Sequence, residues 1–68
     1  MKIKFSDNLR AMRNAENLKQ AELAKKLGVT QRKVSYWETG KIEPDIEDLW
    51  KLADFFCITV DELIGRQA

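Results

Sequence analysis

The chain has 68 residues, 44% of them hydrophobic and 34% charged, a balance typical of one small globular domain over residues 1–68. Its single cysteine and its lack of histidine exclude an internal disulfide framework and a multi-cysteine zinc site, and they remove the commonest general base. No apolar run approaches the roughly 20 residues that a membrane span needs and the start lacks the apolar block of a signal peptide, so the chain is expected in the cytoplasm, away from membranes.

The first predicted helix covers about residues 6–16. Ser6 or Asp7 is expected to cap its start, because short side-chain oxygens accept hydrogen bonds from the first free backbone N–H groups of a helix. Asn17 follows the helix and is expected to end it, since asparagine tolerates the left-handed backbone better than most residues.

Two short helices follow with a tight connection between them. The second covers residues 20–27 and is expected to end at Gly28, since glycine adopts the left-handed conformation at little cost. The third begins after Thr30, a favourable N-cap, and ends at Gly40.

The last two predicted helices carry capping boxes, in which the cap residue and the residue three positions later satisfy each other's backbone N–H groups. Asp45 and Asp48 form this pattern at the start of the fourth helix. Thr59 and Glu62 form it at the start of the fifth, which ends at Gly65.

Together these signals predict an all-α chain of five short helices, with no repeat and no low-complexity segment. Residues 66–68 are expected to be frayed. Trp50 lies within the fourth helix, either in the core or on a surface that pairs two copies of the chain. Cys57 is interpreted as a small core or near-surface residue rather than a redox switch.

The stretch VTQRKVSYWETGK, residues 29–41, places Val34 and Trp37 on one side of the third helix, because successive helical residues rotate by about 100°. Tyr36 must then point largely outward. The other outward or edge positions hold hydrogen-bonding side chains: Gln31, Arg32, Lys33, Ser35 and Thr39. Arginine can pair bidentately with guanine and glutamine with adenine, so this face favours duplex DNA as a partner. The alternative is a solvated helix with a chance excess of donors.

Charge is unevenly spread along the chain, although the net charge is only +1. Residues 1–41 contain ten Lys or Arg against four Asp or Glu, whereas residues 42–68 contain two against seven. The first part could therefore meet a polyanion while the last part stays away from it. Ordinary solvated charge would explain the counts equally well.

The second and third helices together have the spacing of a helix-turn-helix over about residues 20–39. A small side chain at Ala24 lets the two helices cross closely, and Gly28 permits the tight turn. Leu23, Val34 and Trp37 supply apolar positions that fix the crossing angle.

With these positions filled, the chain resembles the helix-turn-helix family of the lambdoid phage repressors and Cro, the Xre-like regulators. The motifs that carry the resemblance are NLRAMR, QAELAKKLGVTQRKVSYWETGK, the proline at position 44, LWKLADFF and TVDELIG, and the resemblance covers about residues 9–65. The resemblance implies a compact five-helix bundle whose third helix lies in the major groove of DNA.

The resemblance also implies roles for individual residues. Gln31 and Arg32 match base readers, and Tyr36 matches a third reader. Gln20 matches a residue that braces a phosphate, and Lys41 matches a phosphate contact. The full set expected to bind DNA comprises Gln20, Thr30, Gln31, Arg32, Lys33, Ser35, Tyr36 and Lys41. Arg13 and Glu38 match an internal ion pair that ties the first helix to the third.

Three departures from the family pattern qualify these expectations. Lys19 stands where a Ser or Thr cap is common, so the second helix should be capped more weakly. Cys57 stands where glycine usually ends the fourth helix, and its left-handed backbone should carry a cost. The segment IEPDIED, residues 42–48, is acidic where phage members often carry basic residues, so phosphate contacts from this loop should be few.

These patterns favour a sequence-specific DNA-binding regulator, most simply a repressor that binds a pseudo-palindromic operator as a homodimer. The alternatives are an antitoxin that also binds a toxin, with an anti-repressor as another conceivable protein partner, and a protein-interaction module that has lost DNA binding. An enzyme is not expected, and neither catalytic residues, a cofactor nor a metal is predicted.

Overall fold

In a computed structural model that describes residues 4–65, the chain forms five helices and no strand, which confirms the predicted all-α class. The helices are α1 (Phe5–Ala15), α2 (Gln20–Leu27), α3 (Gln31–Thr39), α4 (Ile46–Phe56) and α5 (Val60–Ile64). The predicted fraying of residues 66–68 lies outside the described residues. None of these helices combines the length and the apolarity that crossing a bilayer demands.

The start of α1 differs from the prediction that Ser6 or Asp7 would cap it. Lys4 is the N-cap and makes no side-chain capping bond. Its backbone N–H instead donates to the carbonyl of Ile64 at 2.9 Å, so a tertiary contact with the end of α5 secures this terminus. Ser6 lies inside the helix, where its hydroxyl donates to the carbonyl of Trp37 at 2.6 Å.

The caps of the other helices follow the sequence closely. Thr30, Asp45 and Thr59 each accept a hydrogen bond from the backbone N–H three residues later, at 2.8–3.1 Å. Asn17 and Cys57 have positive φ angles of 57° and 58°, as expected for residues that end helices in the left-handed conformation.

The cap of α2 is weak, as predicted, because the side chain of Lys19 accepts no hydrogen bond. The carboxylate of Glu22 nevertheless accepts one from the backbone N–H of Lys19 at 2.9 Å. One of the two hydrogen bonds of a capping box is therefore present, although the cap residue has no hydroxyl.

Trp37 lies in the core, where its ring makes an edge-to-face contact with Phe5 at a centroid distance of 6.3 Å. The buried apolar residues come from all five helices: Phe5, Leu9, Leu23, Ala24, Val34, Trp37, Leu52, Ala53 and Leu63. Helix α3 packs against α1 and α2, while α5 packs against α1 and α4. Trp50 is 68% exposed, so its interpretation as a core residue is wrong. Cys57 is exposed and lies at the surface.

Candidate nucleic-acid interface

The connection between α2 and α3 is built from local backbone preferences. Gly28 ends α2 with a φ of 72°, a conformation in which a larger side chain would be strained. The backbone N–H of Val29 donates to the carbonyl of Ala24 at 3.0 Å, which closes the last turn. Thr30 then caps α3 through its hydroxyl. The two helices are thereby joined by a short turn with satisfied ends, as the helix-turn-helix spacing predicted.

Helix α3 is anchored through one face and leaves another accessible. Val34 and Trp37 are at most 1% exposed and pack into the core, in agreement with the helical wheel. Gln31 and Arg32 are exposed, and they lie in the first turn of α3, which carries no acidic residue. Because a helix N-terminus carries partial positive charge, this end of α3 suits an anionic or electron-rich partner.

Tyr36 and Lys41, two of the predicted contacts, are brought together at the other end of α3. Gly40 turns the chain with a φ of 78°, and the backbone N–H of Lys41 donates to the carbonyl of Tyr36 at 2.9 Å. The ammonium nitrogen of Lys41 lies 5.2 Å from the centroid of the Tyr36 ring. Tyr36 is half-buried rather than largely exposed as predicted.

Gln20 lies at the first position of α2 and is tied to the interior by its amide. Its Nε2 donates to Oε1 of Glu38 at 3.2 Å, and Glu38 is only 3% exposed. Oε1 and Oε2 of Glu38 also accept hydrogen bonds from Arg13, which makes Glu38 a shared acceptor for α1 and α2. Gln20 is therefore held in place before any partner binds.

The charge of Glu38 is neutralised by Arg13, as the resemblance implied. Nε of Arg13 lies 2.6 Å from Oε2 of Glu38, and Nη2 lies 3.0 Å from Oε1. The hydrogen bond to Glu38 raises the pKa of the Arg13 guanidinium above its ordinary value. Nη1 of Arg13 donates to the carbonyl of Leu18 at 2.7 Å. An acid on α3 is thus turned away from the exposed face and compensated inside the fold.

Lys33 and Ser35, also predicted to bind DNA, are more covered than Gln31 and Arg32. The ammonium nitrogen of Lys33 lies 3.3 Å from Oδ1 of Asp48 on α4 and 5.4 Å from the centroid of the Trp37 ring. Ser35 is half-buried, and its carbonyl accepts a hydrogen bond from the hydroxyl of Thr39 at 2.9 Å. Lys33 is thus directed toward α4 in this structure.

Sequence reasoning missed three interactions around this face. It did not foresee that Gln20 would bond to Glu38, nor that Asp48 would pair with Lys33 in addition to capping α4. Each joins residues from different helices, so helical periodicity contained no signal for it. Arg10, which donates to the carbonyl of Glu38 at 3.1 Å, was likewise not singled out.

Two helices that meet at a short turn, often with a glycine, define the helix-turn-helix class of proteins. In this all-α domain α2 and α3 meet at such a turn, and the start of α3 is exposed. The chain belongs to the helix-turn-helix family, whose family model matches residues 9–63. This confirms the membership indicated by the sequence motifs.

Two relatives illustrate the range of roles in which similar chains occur. The chain is 39% identical over 65 residues to the HTH-type transcriptional activator BcrR of Enterococcus faecalis, covering 96% of this chain and 32% of that protein. It is 40% identical over 66 residues to the cryptic phage CTXphi transcriptional repressor RstR of Vibrio cholerae, covering 97% of this chain and 59% of that protein. The chain therefore spans less than two thirds of the length of either relative.

A solved structure of similar fold contains DNA. The P22 c2 repressor in complex with a synthetic operator matches this chain with a TM-score of 0.84 and 30% identity, covering 93% of this chain and 96% of the repressor chain in that structure. The five-helix arrangement described above is therefore shared with that repressor.

Proposed function

We propose that this chain binds double-stranded DNA in a sequence-specific manner and regulates transcription. The observation that carries this proposal is the exposure of Gln31 and Arg32 at the start of a helix anchored by Val34 and Trp37. A helix of this kind fits the major groove, where base edges present distinct patterns of donors and acceptors. The similarity to a repressor whose structure includes an operator supports the same conclusion.

The proposed reading of bases is divided between three side chains. Arg32 would donate both arms of its guanidinium to O6 and N7 of guanine, and Gln31 would pair with N6 and N7 of adenine. Tyr36 would contact a base further along the groove, with Ser35 beside it. Lys41 stacks on Tyr36 and would place its charge on a phosphate near the same base.

The remaining contacts in the proposal fix the register of the protein on the duplex. Thr30 and Gln20 lie at the starts of α3 and α2, where backbone N–H groups and the helix dipole favour phosphates. Glu38 holds the amide of Gln20 through a hydrogen bond of 3.2 Å, so Gln20 is pre-organised for this role. Lys33 is engaged by Asp48, and we propose that it chiefly fixes α3 against α4 and adds positive potential.

We further propose that two copies bind one operator and act as a repressor in the cytoplasm, without catalysis. Two-fold pairing would place both α3 helices on one face of the duplex, about 34 Å apart. Val60, which is 36% exposed, and the half-buried Ile58 and Ile64 supply an apolar surface around α5 for this pairing. Repression is the simplest outcome, because occupancy of the operator excludes other proteins without any further contact.

Selection of bound duplexes from a random pool tests the proposal. The expected product is a pseudo-palindrome whose half-sites are separated by about one helical turn. The same selection with Arg32→Ala should lose the preference at one position of each half-site. Failure of the wild-type chain to enrich any sequence, with its fold confirmed by circular dichroism, would contradict the proposal. Enrichment of a single asymmetric site would contradict only the dimer.

A second candidate function involves a protein partner, as in an antitoxin or in a regulator controlled by an anti-repressor. It is favoured by the acidic character of residues 42–68, which contain seven Asp or Glu against two Lys or Arg. Trp50 and Ile46 also remain exposed in the single chain. Such a function adds to DNA binding and does not replace it.

A further inference from the structure

The outer face of α4 carries apolar side chains that remain exposed among residues 4–65 of the single chain. Ile46 is 86% exposed and Trp50 is 68% exposed, and they lie one helical turn apart on the same side of α4. The opposite side of the helix is already docked, since Leu52, two residues after Trp50, is buried in the core. The exposure of Trp50 is therefore a property of a well-anchored helix.

Tryptophan is an informative residue at such a position. Its side chain buries a large area when covered, and it is among the residues that most often dominate the energy of protein interfaces. Clustered exposed apolar side chains rimmed by polar ones mark interaction sites more often than isolated ones do. Ile46 and Trp50 form such a pair.

The surroundings of this pair are acidic. Asp54 lies one turn after Trp50 on the same face and is exposed, and Glu47, three residues before Trp50, has a side chain that is 71% exposed. Between positions 42 and 65 the sequence has one cation, Lys51, and its ammonium lies 3.6 Å from Glu47 of the same chain. The patch is thus an apolar centre with a negative rim.

This charge pattern discriminates between the surfaces that could cover the patch. A second copy related by a two-fold axis would bring Glu47 and Asp54 close to the same residues of its partner, and like charges across an interface are unfavourable. Nucleic acid would be repelled by the same acids. A segment that presents an apolar side chain among Lys or Arg residues matches both the centre and the rim.

We propose that the outer face of α4, centred on Ile46 and Trp50 and rimmed by Glu47 and Asp54, docks a basic amphipathic segment of another protein. This site goes beyond DNA binding and gives the second candidate function a location and a partner chemistry. It lies on a different helix from Gln31 and Arg32, so the two activities can be removed by separate substitutions.

A library of random peptides displayed on phage and selected on the immobilised chain tests this site. The expected binders carry an excess of Lys and Arg around an aromatic or aliphatic residue. Synthetic copies of the selected peptides should bind Trp50→Ala and Asp54→Lys at least about tenfold more weakly than the wild type. This is the loss expected for a central anchor and for its charged rim. Calorimetric titration measures the affinities of the wild type and of both variants. For the wild type and Asp54→Lys, binding can also be followed by the fluorescence of the exposed Trp50, because Trp37 is 1% exposed and is shielded from the peptide.

Lys25→Ala, on the exposed surface of α2, is the matched control and should bind the peptides like the wild type. Binders without excess positive charge, or binders that do not distinguish Trp50→Ala from the wild type, would overturn the proposal. So would dimerisation of the free chain in sedimentation equilibrium that Trp50→Ala abolishes, since the patch would then belong to a second copy. Duplex binding by Trp50→Ala should be retained, which separates this outcome from failure of the DNA proposal.

Discussion

Arg13 on α1 and Glu38 on α3 form a bidentate ion pair inside the fold, with nitrogen–oxygen distances of 2.6 and 3.0 Å. Their side chains are 12% and 2% exposed, and Glu38 also accepts a hydrogen bond from Gln20. One carboxylate therefore links the first three helices. Its position couples the anchoring of α3 to the placement of Gln20, the first residue of α2.

Breaking this pair should destabilise the chain strongly. Arg13→Ala would leave the buried carboxylate of Glu38 without its cation, and we expect a loss of roughly 3–5 kcal/mol in the free energy of unfolding, measured by urea denaturation. Lys51→Ala is the control: it removes an exposed ion pair with Glu47 at 3.6 Å and should cost less than about 1 kcal/mol. If the two variants lost the same free energy of unfolding, burial would not determine how much an ion pair contributes to stability.

Arg32→Ala tests direct base reading. We expect it to weaken binding to the selected duplex by about 1–3 kcal/mol and to relax the base preference at one position, because a bidentate guanine contact is lost. Titrations with the selected duplex and with a scrambled duplex of equal length measure both effects. If both duplexes lost affinity equally, Arg32 would be a phosphate contact instead.

Lys41→Ala should weaken all duplexes alike, since a phosphate contact carries no sequence information. The slope of log affinity against log salt concentration should become shallower by about 1. Tyr36→Phe is the matched variant, because it keeps the aromatic ring on which Lys41 stacks at 5.2 Å. It should leave the salt slope unchanged. A sequence-selective loss in Lys41→Ala would contradict the phosphate role.

Cys57→Gly should stabilise the chain. Cys57 ends α4 with a φ of 58°, a conformation that glycine adopts without the steric cost of a β-carbon. We expect the free energy of unfolding to rise by about 1 kcal/mol relative to Cys57→Ala, which keeps the β-carbon and removes only the thiol. Thermal or urea denaturation of the wild type, Cys57→Gly and Cys57→Ala would measure this difference in stability. A glycine variant no more stable than the alanine variant would argue against backbone strain at position 57.

Asp45 should contribute to the loss of stability in acid. The hydrogen bond from the backbone N–H of Asp48 lowers the pKa of the Asp45 carboxyl below its ordinary value of about 3.9. The folded state then holds this proton less tightly than the unfolded state. The stabilisation is therefore complete above the unfolded pKa and disappears as the pH falls through the lower folded pKa.

Asp45→Asn isolates this effect, because asparagine keeps a capping oxygen but does not titrate. Its thermal midpoint should fall less steeply than that of the wild type when the pH is lowered below about 4. Melting curves at pH 7 and at several values between pH 2 and 5 provide the comparison. If the thermal midpoints of the two chains fell equally steeply with decreasing pH, Asp45 would not contribute to the loss of stability in acid.

Local sequence patterns were sufficient to predict most of the helices and their ends. The caps at Thr30, Asp45 and Thr59 and the left-handed end at Asn17 were predicted and are present. These features depend on hydrogen bonds and backbone preferences that act within about one helical turn. The inward face of α3, with Val34 and Trp37, follows in the same way from the rotation of about 100° per residue.

The relative placement of the helices decided the rest. Lys33 pairs with Asp48, Gln20 with Glu38, and Ser6 with the carbonyl of Trp37, over separations of 15, 18 and 31 residues. Helical periodicity states which face a side chain occupies but not which other helix lies opposite it. For the same reason Trp50, although apolar and regularly spaced, was open to a core interpretation until the packing of α4 left it 68% exposed.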